Sequence, residues 1–129
     1  MASWETLRSQ ICETFDVGVD DGKLFAVDVR YGDGRHQRVF LKVEPAYGKR
    51  FLQLRSLVAK QDRMDPVEAL QVSAELALGA LVLEDGMYFV QQRILLENLP
   101  VEGVAFVVRT IATIADNLEA AHTGGNDKF

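Results

Sequence analysis

The chain has 129 residues, of which 48% are hydrophobic and 26% charged, with a net charge of -5 and one cysteine. These values are typical of one compact soluble domain, and the lone Cys12 excludes an internal disulfide and favours a reducing, cytoplasmic setting. The polar N-terminal segment does not have the basic-then-apolar pattern of a signal peptide, and no apolar run reaches the about 18 residues that a membrane helix needs. We therefore expect no membrane association.

The charge is unevenly distributed along the chain. From Lys23 to Arg63 there are ten basic residues against four acidic ones, a segment charge of +6 within an acidic protein. Such a segment indicates either a surface that faces anions or a solvated face whose mixed charges maintain solubility.

The first predicted element is an amphipathic helix capped by Ser3, because four apolar residues recur at spacings of three and four: Trp4, Leu7, Ile11 and Phe15. The acids of residues 16–24 that follow are similar to those of a calcium loop. However, Gly18 and Asp21 stand where that pattern needs an acid or amide and a glycine. We interpret this segment as a turn.

Three strands are predicted next, at residues 24–31, 38–43 and about 51–58, because apolar and polar residues alternate there. A short glycine turn makes the first two an antiparallel hairpin, and residues 44–50 are expected to be a loop. The core side of the alternation holds Val29, Val39, Leu41, Leu52 and Leu54. The opposite side is basic and partly aromatic, and its candidate partner-binding residues are Arg30, Arg38, Phe40, Lys42, Phe51 and Arg55.

The second predicted helix has a clear start. Asp65 is placed as the N-cap, Pro66 takes the first helical position, and Glu68 can close a capping box. Gly79 suits the C-terminal stop of this helix. Its predicted inner face holds Val67, Leu70, Ala74, Ala77 and Leu78.

A second antiparallel hairpin is predicted from residues 80–83 and 87–96, joined by a Glu-Asp-Gly turn. A third helix with a wide apolar face follows over residues 104–118. Residues 67–96 hold more apolar side chains than one thin face can bury, so we expect part of this segment to contact a second subunit or a client. An exposed strand edge there would accept an extended peptide.

The predicted order is α-β-β-β-α-β-β-α, an α+β fold with one antiparallel sheet packed by helices. This layout, with the stretches "RHQRVFL", "LQLRSLVAK", "ALQVSAELALGALVLEDG", "LLENLP" and "IADNLEAAHTGGNDKF", resembles the bacterial YbjN-like domain. That domain shares its fold with class I type III secretion chaperones of the CesT kind. The resemblance implies a small, acidic, usually dimeric protein that binds other proteins, as a sensory-transduction regulator or as a holder of unfolded effector segments.

No set of residues in the sequence supports catalysis, a cofactor or a metal. His36 and His122 are far apart in sequence, so a metal site or a nucleophile and base pair would need Cys12 to approach one of them. Glu84 and Asp85 lie at a predicted hairpin tip, where two carboxyl groups stay solvated. "GDGRHQ" lacks the strand-to-helix setting of a phosphate-binding loop.

We therefore predict a non-enzymatic module that binds a partner protein or an effector-like client, as a homodimer in the cytoplasm. A single domain is expected at residues 1–121 and a flexible tail at 122–129. The alternative is a protein that binds anions or single-stranded nucleic acid through the basic face of the first three strands.

Overall fold

The computed structural model describes residues 3–97 and 99–122. Its elements are α1 (Trp4–Thr14), β1 (Asp16–Asp20), β2 (Phe25–Arg30), β3 (His36–Ala46), β4 (Lys49–Lys60), α2 (Pro66–Ala74), β5 (Ala80–Glu84), β6 (Met87–Leu95) and α3 (Val101–His122). A 3₁₀ turn, Gln61–Arg63, lies between β4 and α2. The predicted α+β class is confirmed, with one strand more than the sequence indicated.

The strands form one antiparallel sheet in the order β1-β2-β3-β4-β6-β5. α3 packs across β2, β3, β4 and β6, while α1 lies against α3 and β1, and α2 lies against β5. The core lies between the sheet and these helices, and the period-two alternation predicted for the first strands is confirmed there. Its fully buried large side chains include Ile11, Val27, Val39, Leu52, Leu54, Val58, Val90, Val104, Val108 and Ile111.

The prediction that residues 16–24 form only a turn is wrong. Asp16–Asp20 is an edge strand that pairs with β2, and the turn is confined to the residues that follow. The sequence pattern does not indicate this strand because Gly18 and the acids at both ends have low strand propensity. Main-chain hydrogen bonding to a neighbouring strand, rather than a buried apolar face, fixes its conformation.

The predicted loop at residues 44–50 is also wrong. β3 and β4 continue to Ala46 and Lys49, and a two-residue turn of Tyr47 and Gly48 joins them. Both residues have positive φ, 54° and 75°, which matches the twist of the two flanking strands. Tyr47 gave no turn signal because a bulky residue is uncommon in this conformation.

α2 begins as predicted and ends earlier. The carboxylate of Asp65 accepts hydrogen bonds from the backbone N–H groups of Val67 and Glu68, at 3.1 and 3.3 Å. The helix ends at Ala74 rather than near Gly79. α3, in turn, includes His122, one residue beyond the predicted domain boundary, and the rest of the predicted tail lies outside the described residues.

Candidate partner-binding surface

The side of the sheet away from α1 and α3 is called here the open face. All six candidate residues point to it. Residues paired across neighbouring strands lie on the same face, and every second residue of a strand shares that face. The relevant pairs are Phe40 with Arg55, Lys42 with Gln53, Arg38 with Asp28, Phe51 with Glu44 and Arg30 with His36. The prediction that these side chains share one face is confirmed. That this face binds a partner stays a prediction.

The open face has mixed charge, which the sequence did not indicate. The guanidinium of Arg30 donates to Asp16 at 2.6 Å, and that of Arg55 donates to Glu84 at 2.9 Å. Glu44 accepts from Arg93 at 3.0 Å. Several of the acids come from strands outside the basic segment, which is why a count along residues 23–63 overstated the positive charge. Nucleic-acid binding through this face, which stays a prediction, would have to compete with these carboxylates.

The most buried of these ion pairs is formed by Arg38 and Asp28. Nε of Arg38 donates to one oxygen of Asp28 at 2.9 Å and Nη2 donates to the other at 3.3 Å, while Asp28 is only 7% exposed. The hydrogen bond with Asp28 raises the pKa of the Arg38 guanidinium. A Cβ on Gly18 would lie 2.7–2.8 Å from atoms of this pair. The glycine in β1 therefore gives the two side chains room to meet.

Arg55 is held at the centre of the open face. Its guanidinium lies 4.7 Å from the centroid of the Phe89 ring, and its Nε donates to Gln91 at 3.1 Å. The hydrogen bond from Arg55 lowers the pKa of Glu84. Because only 16% of its side chain is exposed, Arg55 orders the neighbouring aromatic ring and strands more than it offers a free charge.

A shallow cleft of about 410 Å³ crosses the open face. Its lining includes the half-buried rings of Phe40 and Phe89 and the side chains of Lys42, Arg55 and Arg93. An open depression of this kind suits a side chain of another protein better than it suits an enclosed small molecule.

A second surface lies on α2. The prediction that the apolar side of this helix faces the core is wrong. Val67 is 61% exposed and Leu70 is 71% exposed, whereas Ala69 is buried. The helix has only nine residues and packs mainly on β5. Its side with the small Ala69, rather than the side with Val67 and Leu70, contacts the rest of the protein. Leu83 of β5 is exposed as well. These three exposed apolar residues, on α2 and on the strand against which it packs, are called here the α2 patch.

The edge of β5 was expected to accept an extended peptide. At one position of this edge the backbone N–H of Leu81 donates to the hydroxyl of Ser73 in α2, at 3.0 Å. α2 therefore occupies part of the main-chain hydrogen-bonding capacity that strand addition would use. Peptide addition at this edge stays a prediction.

The residues considered for chemistry lie on separate elements. Cys12 is half-buried in α1, His36 begins β3, and His122 ends α3 with its ring 3.7 Å from Glu68. Within residues 3–97 and 99–122, no group of three or more His, Cys, Asp or Glu side chains is arranged to hold a metal ion.

None of the helices in the described part of the chain is both long enough and apolar enough to cross a membrane.

Comparison with known proteins places the fold. No protein-family model matches the chain, and no curated protein sequence is significantly similar to it. A chain in the structure of the HopA1-SchA chaperone-effector complex is similar in three dimensions, with a TM-score of 0.55 and 16% sequence identity over 86% of each chain. The chain therefore shares its fold with a chain of a chaperone-effector complex, in agreement with the predicted secretion-chaperone-like fold. The YbjN-like resemblance stays a prediction.

Proposed function

We propose that this protein is a non-enzymatic, chaperone-like or regulatory module of the cytoplasm that holds a segment of a partner protein on its open face. The observation that carries the proposal is that α1 and α3 cover one side of the sheet, while no helix within residues 3–97 and 99–122 covers the other side. The open face keeps aromatic rings half-exposed among ordered ion pairs. The likeness to a chain of a chaperone-effector complex supports a protein partner.

The physical character of the open face suits binding without turnover. Half-exposed Phe40 and Phe89 supply apolar contact area, and the neighbouring Arg55 is already fixed by hydrogen bonds to Gln91 and Glu84. A partner therefore gains burial at the rings while ordering few side chains of this protein. The proposal includes no enzymatic role; Cys12, His36 and His122, the residues considered for chemistry, lie on three different elements.

The proposal is tested by capturing binding proteins from a lysate of the source cells with three forms of the chain. These are the wild type, Phe40→Ser, which removes a ring from the open face, and Phe106→Ser, which removes an exposed ring from α3. We expect a set of proteins retained by the wild type and Phe106→Ser and lost from Phe40→Ser, with unchanged circular dichroism in all three. Retention of the same proteins by all three forms would contradict a binding role for the open face.

We further propose that the protein is a homodimer that buries the α2 patch. Val67 and Leu70 are three residues apart, so they lie on the same side of the helix, and Leu83 is exposed on β5, the strand against which α2 packs. A symmetric dimer lets such a patch meet its own copy, which removes apolar surface from water in both subunits.

Light scattering over a concentration series tests the dimer. The wild type and Phe106→Ser should have twice the mass of one chain, and Leu70→Glu should have the mass of one chain, because a carboxylate at the centre of the α2 patch would be buried without a partner. A wild-type mass of one chain across micromolar concentrations would contradict the proposal.

A further inference from the structure

Two neighbouring clefts share one rim at the edge of the open face, and the smaller one extends from this rim to Trp4 and Arg8 of α1. The cleft of about 410 Å³ described above and a second of about 270 Å³ are both lined by Lys23, Leu24 and Lys42. Lys23 and Leu24 lie directly before β2, and Lys42 lies on β3. The turn between β1 and β2 therefore brings Lys23 and the exposed Leu24 close to Lys42 of β3, at the edge of the aromatic floor formed by Phe40 and Phe89.

The two lysines differ from the arginines of the open face in their contacts. Arg38 and Arg55 are held by Asp28 and Glu84, as described above. Lys42 is 69% exposed, and its Nζ lies 3.9 Å from Glu44, whose other oxygen already accepts from Arg93. For Lys23, no carboxylate lies within ion-pair distance in the part of the chain that the structure describes.

The charge around the larger cleft is positive in sum. Its lining includes the acids Glu44 and Glu84, each already engaged by an arginine, together with both lysines. A carboxylate entering the rim meets two ammonium groups that keep most of their hydration and are free to move toward it. A lysine or arginine of a partner would meet their repulsion.

We propose that this rim selects the partner: the cleft takes an extended peptide segment with a bulky apolar side chain on the rings of Phe40 and Phe89 and an aspartate or glutamate nearby that pairs with Lys23 and Lys42. The inference deepens the proposed function and rests on it. The apolar residue supplies the burial, and the charge complementarity determines which segments are accepted. The volume of the cleft accommodates a large side chain or two smaller ones.

The test uses isotope-labelled protein and three synthetic twelve-residue peptides in nuclear magnetic resonance titrations, which detect weak binding. One peptide combines aspartate with leucine and phenylalanine in a serine-glycine background, the second has lysine in place of every aspartate, and the third has serine in place of every leucine and phenylalanine. We expect the first to shift the backbone signals of Leu24, Phe40 and Phe89 and to bind at least about tenfold more tightly than either of the others.

Charge-reversed variants provide the second arm. Lys23→Glu combined with Lys42→Glu should weaken binding of the acidic apolar peptide by about tenfold or more. The matched control combines Arg50→Glu with Lys60→Glu, which changes the net charge equally at two exposed positions that line neither cleft. This control should bind as the wild type does.

Equal binding of the acidic and basic peptides, or unchanged binding by the lysine variant, would overturn the inference. So would a single-stranded oligonucleotide of thymidine that binds the same rim more tightly than the acidic peptide. The proposed function fails separately, through the capture experiment with Phe40→Ser. If partner binding requires Phe40 but is unchanged when both lysines are replaced by glutamate, the open face binds protein and the proposed preference for acidic segments is wrong.

Discussion

Gly18 shows how a single residue of the edge strand determines the geometry of the open face. An added methyl group would lie 2.7–2.8 Å from the guanidinium of Arg38 and the carboxylate of Asp28, so Gly18→Ala must displace that ion pair. We expect a loss of about 1–3 kcal/mol in the free energy of unfolding, measured by chemical denaturation, because Asp28 would lose hydrogen bonds while still buried.

Gly32→Ala is the matched control for this substitution. A Cβ at Gly32 meets no heavy atom within 4 Å, and the residue does not need a positive φ. Its denaturation midpoint should stay close to that of the wild type. If Gly18→Ala were equally stable, the Arg38–Asp28 contact would not constrain β1.

The ion pair between Glu84 and Arg55 makes a prediction about pH. The pKa of Glu84 lies below its ordinary value of 4.5 because Arg55 donates a hydrogen bond to the carboxylate. A group with a lowered folded-state pKa stabilises the fold above its unfolded-state pKa and loses that contribution as the pH falls through the folded-state value. The stability difference between the wild type and Glu84→Gln should therefore shrink in acid.

Carbon nuclear magnetic resonance of the side-chain carboxyl measures the pKa of Glu84 directly, and denaturation at neutral and acidic pH measures the stability difference. Asp85→Asn is a suitable control because Asp85 lies on the same turn and forms no ion pair within the described residues. A Glu84 pKa at or above 4.5 would contradict the contact.

Single-residue environments were only partly predictable from the sequence. Alternation along β3 and β4 placed Phe40 and Arg55 on the same face correctly, since the side-chain period of a strand is local information. The partners of Arg55 were not predictable, because Gln91 comes from β6, which pairs with β4, and Glu84 comes from β5, which pairs with β6. This strand order is set by the whole sheet.

At the scale of elements, the start of α2 is the feature that the sequence predicted most sharply. Asp65 accepts two backbone hydrogen bonds, so Asp65→Ala should lower the free energy of unfolding by about 1 kcal/mol. Denaturant titration measures this change. Asp62→Ala, in the preceding 3₁₀ turn, removes a carboxylate that caps no helix and should have a smaller effect. Equal midpoints for the wild type and Asp65→Ala would show that the cap contributes nothing.

The end and the orientation of α2 were predicted wrongly for a physical reason. Apolar periodicity indicates which side of a helix is apolar, and the interpretation assumed that this side faces the core. Here Val67 and Leu70 face away from the protein while Ala69 contacts it. A pattern of this kind cannot distinguish the core of one subunit from an interface between two.

At the scale of the whole molecule, the sequence predicted the fold class and the two sides of the sheet. It could not predict that β6 lies next to β4 with β5 at the edge, because strand order depends on contacts between distant segments. This order brings Glu84 and Arg93 to the open face. The basic surface expected from residues 23–63 is therefore a mixed one in which the arginines are paired.

Because the arginines of the open face are paired with acids, substitutions of these arginines are poor tests of binding by this face. Reversing Arg38 and Arg55 to Glu would place them beside Asp28 and Glu84, so lost binding could reflect repulsion within the sheet. Phe40 is better suited, because its ring lines the cleft and substitution there leaves every ion pair in place.

Site-specific photo-crosslinking in the source cells tests the central claim that the open face holds a partner protein. A benzophenone amino acid is placed at Phe40 on the open face, or at Asn117 on the exposed side of α3 as the control. The account predicts that irradiation joins a partner protein to the chain at position 40, with little product at position 117. Crosslinks to the same protein at position 117 and none at position 40 would contradict it.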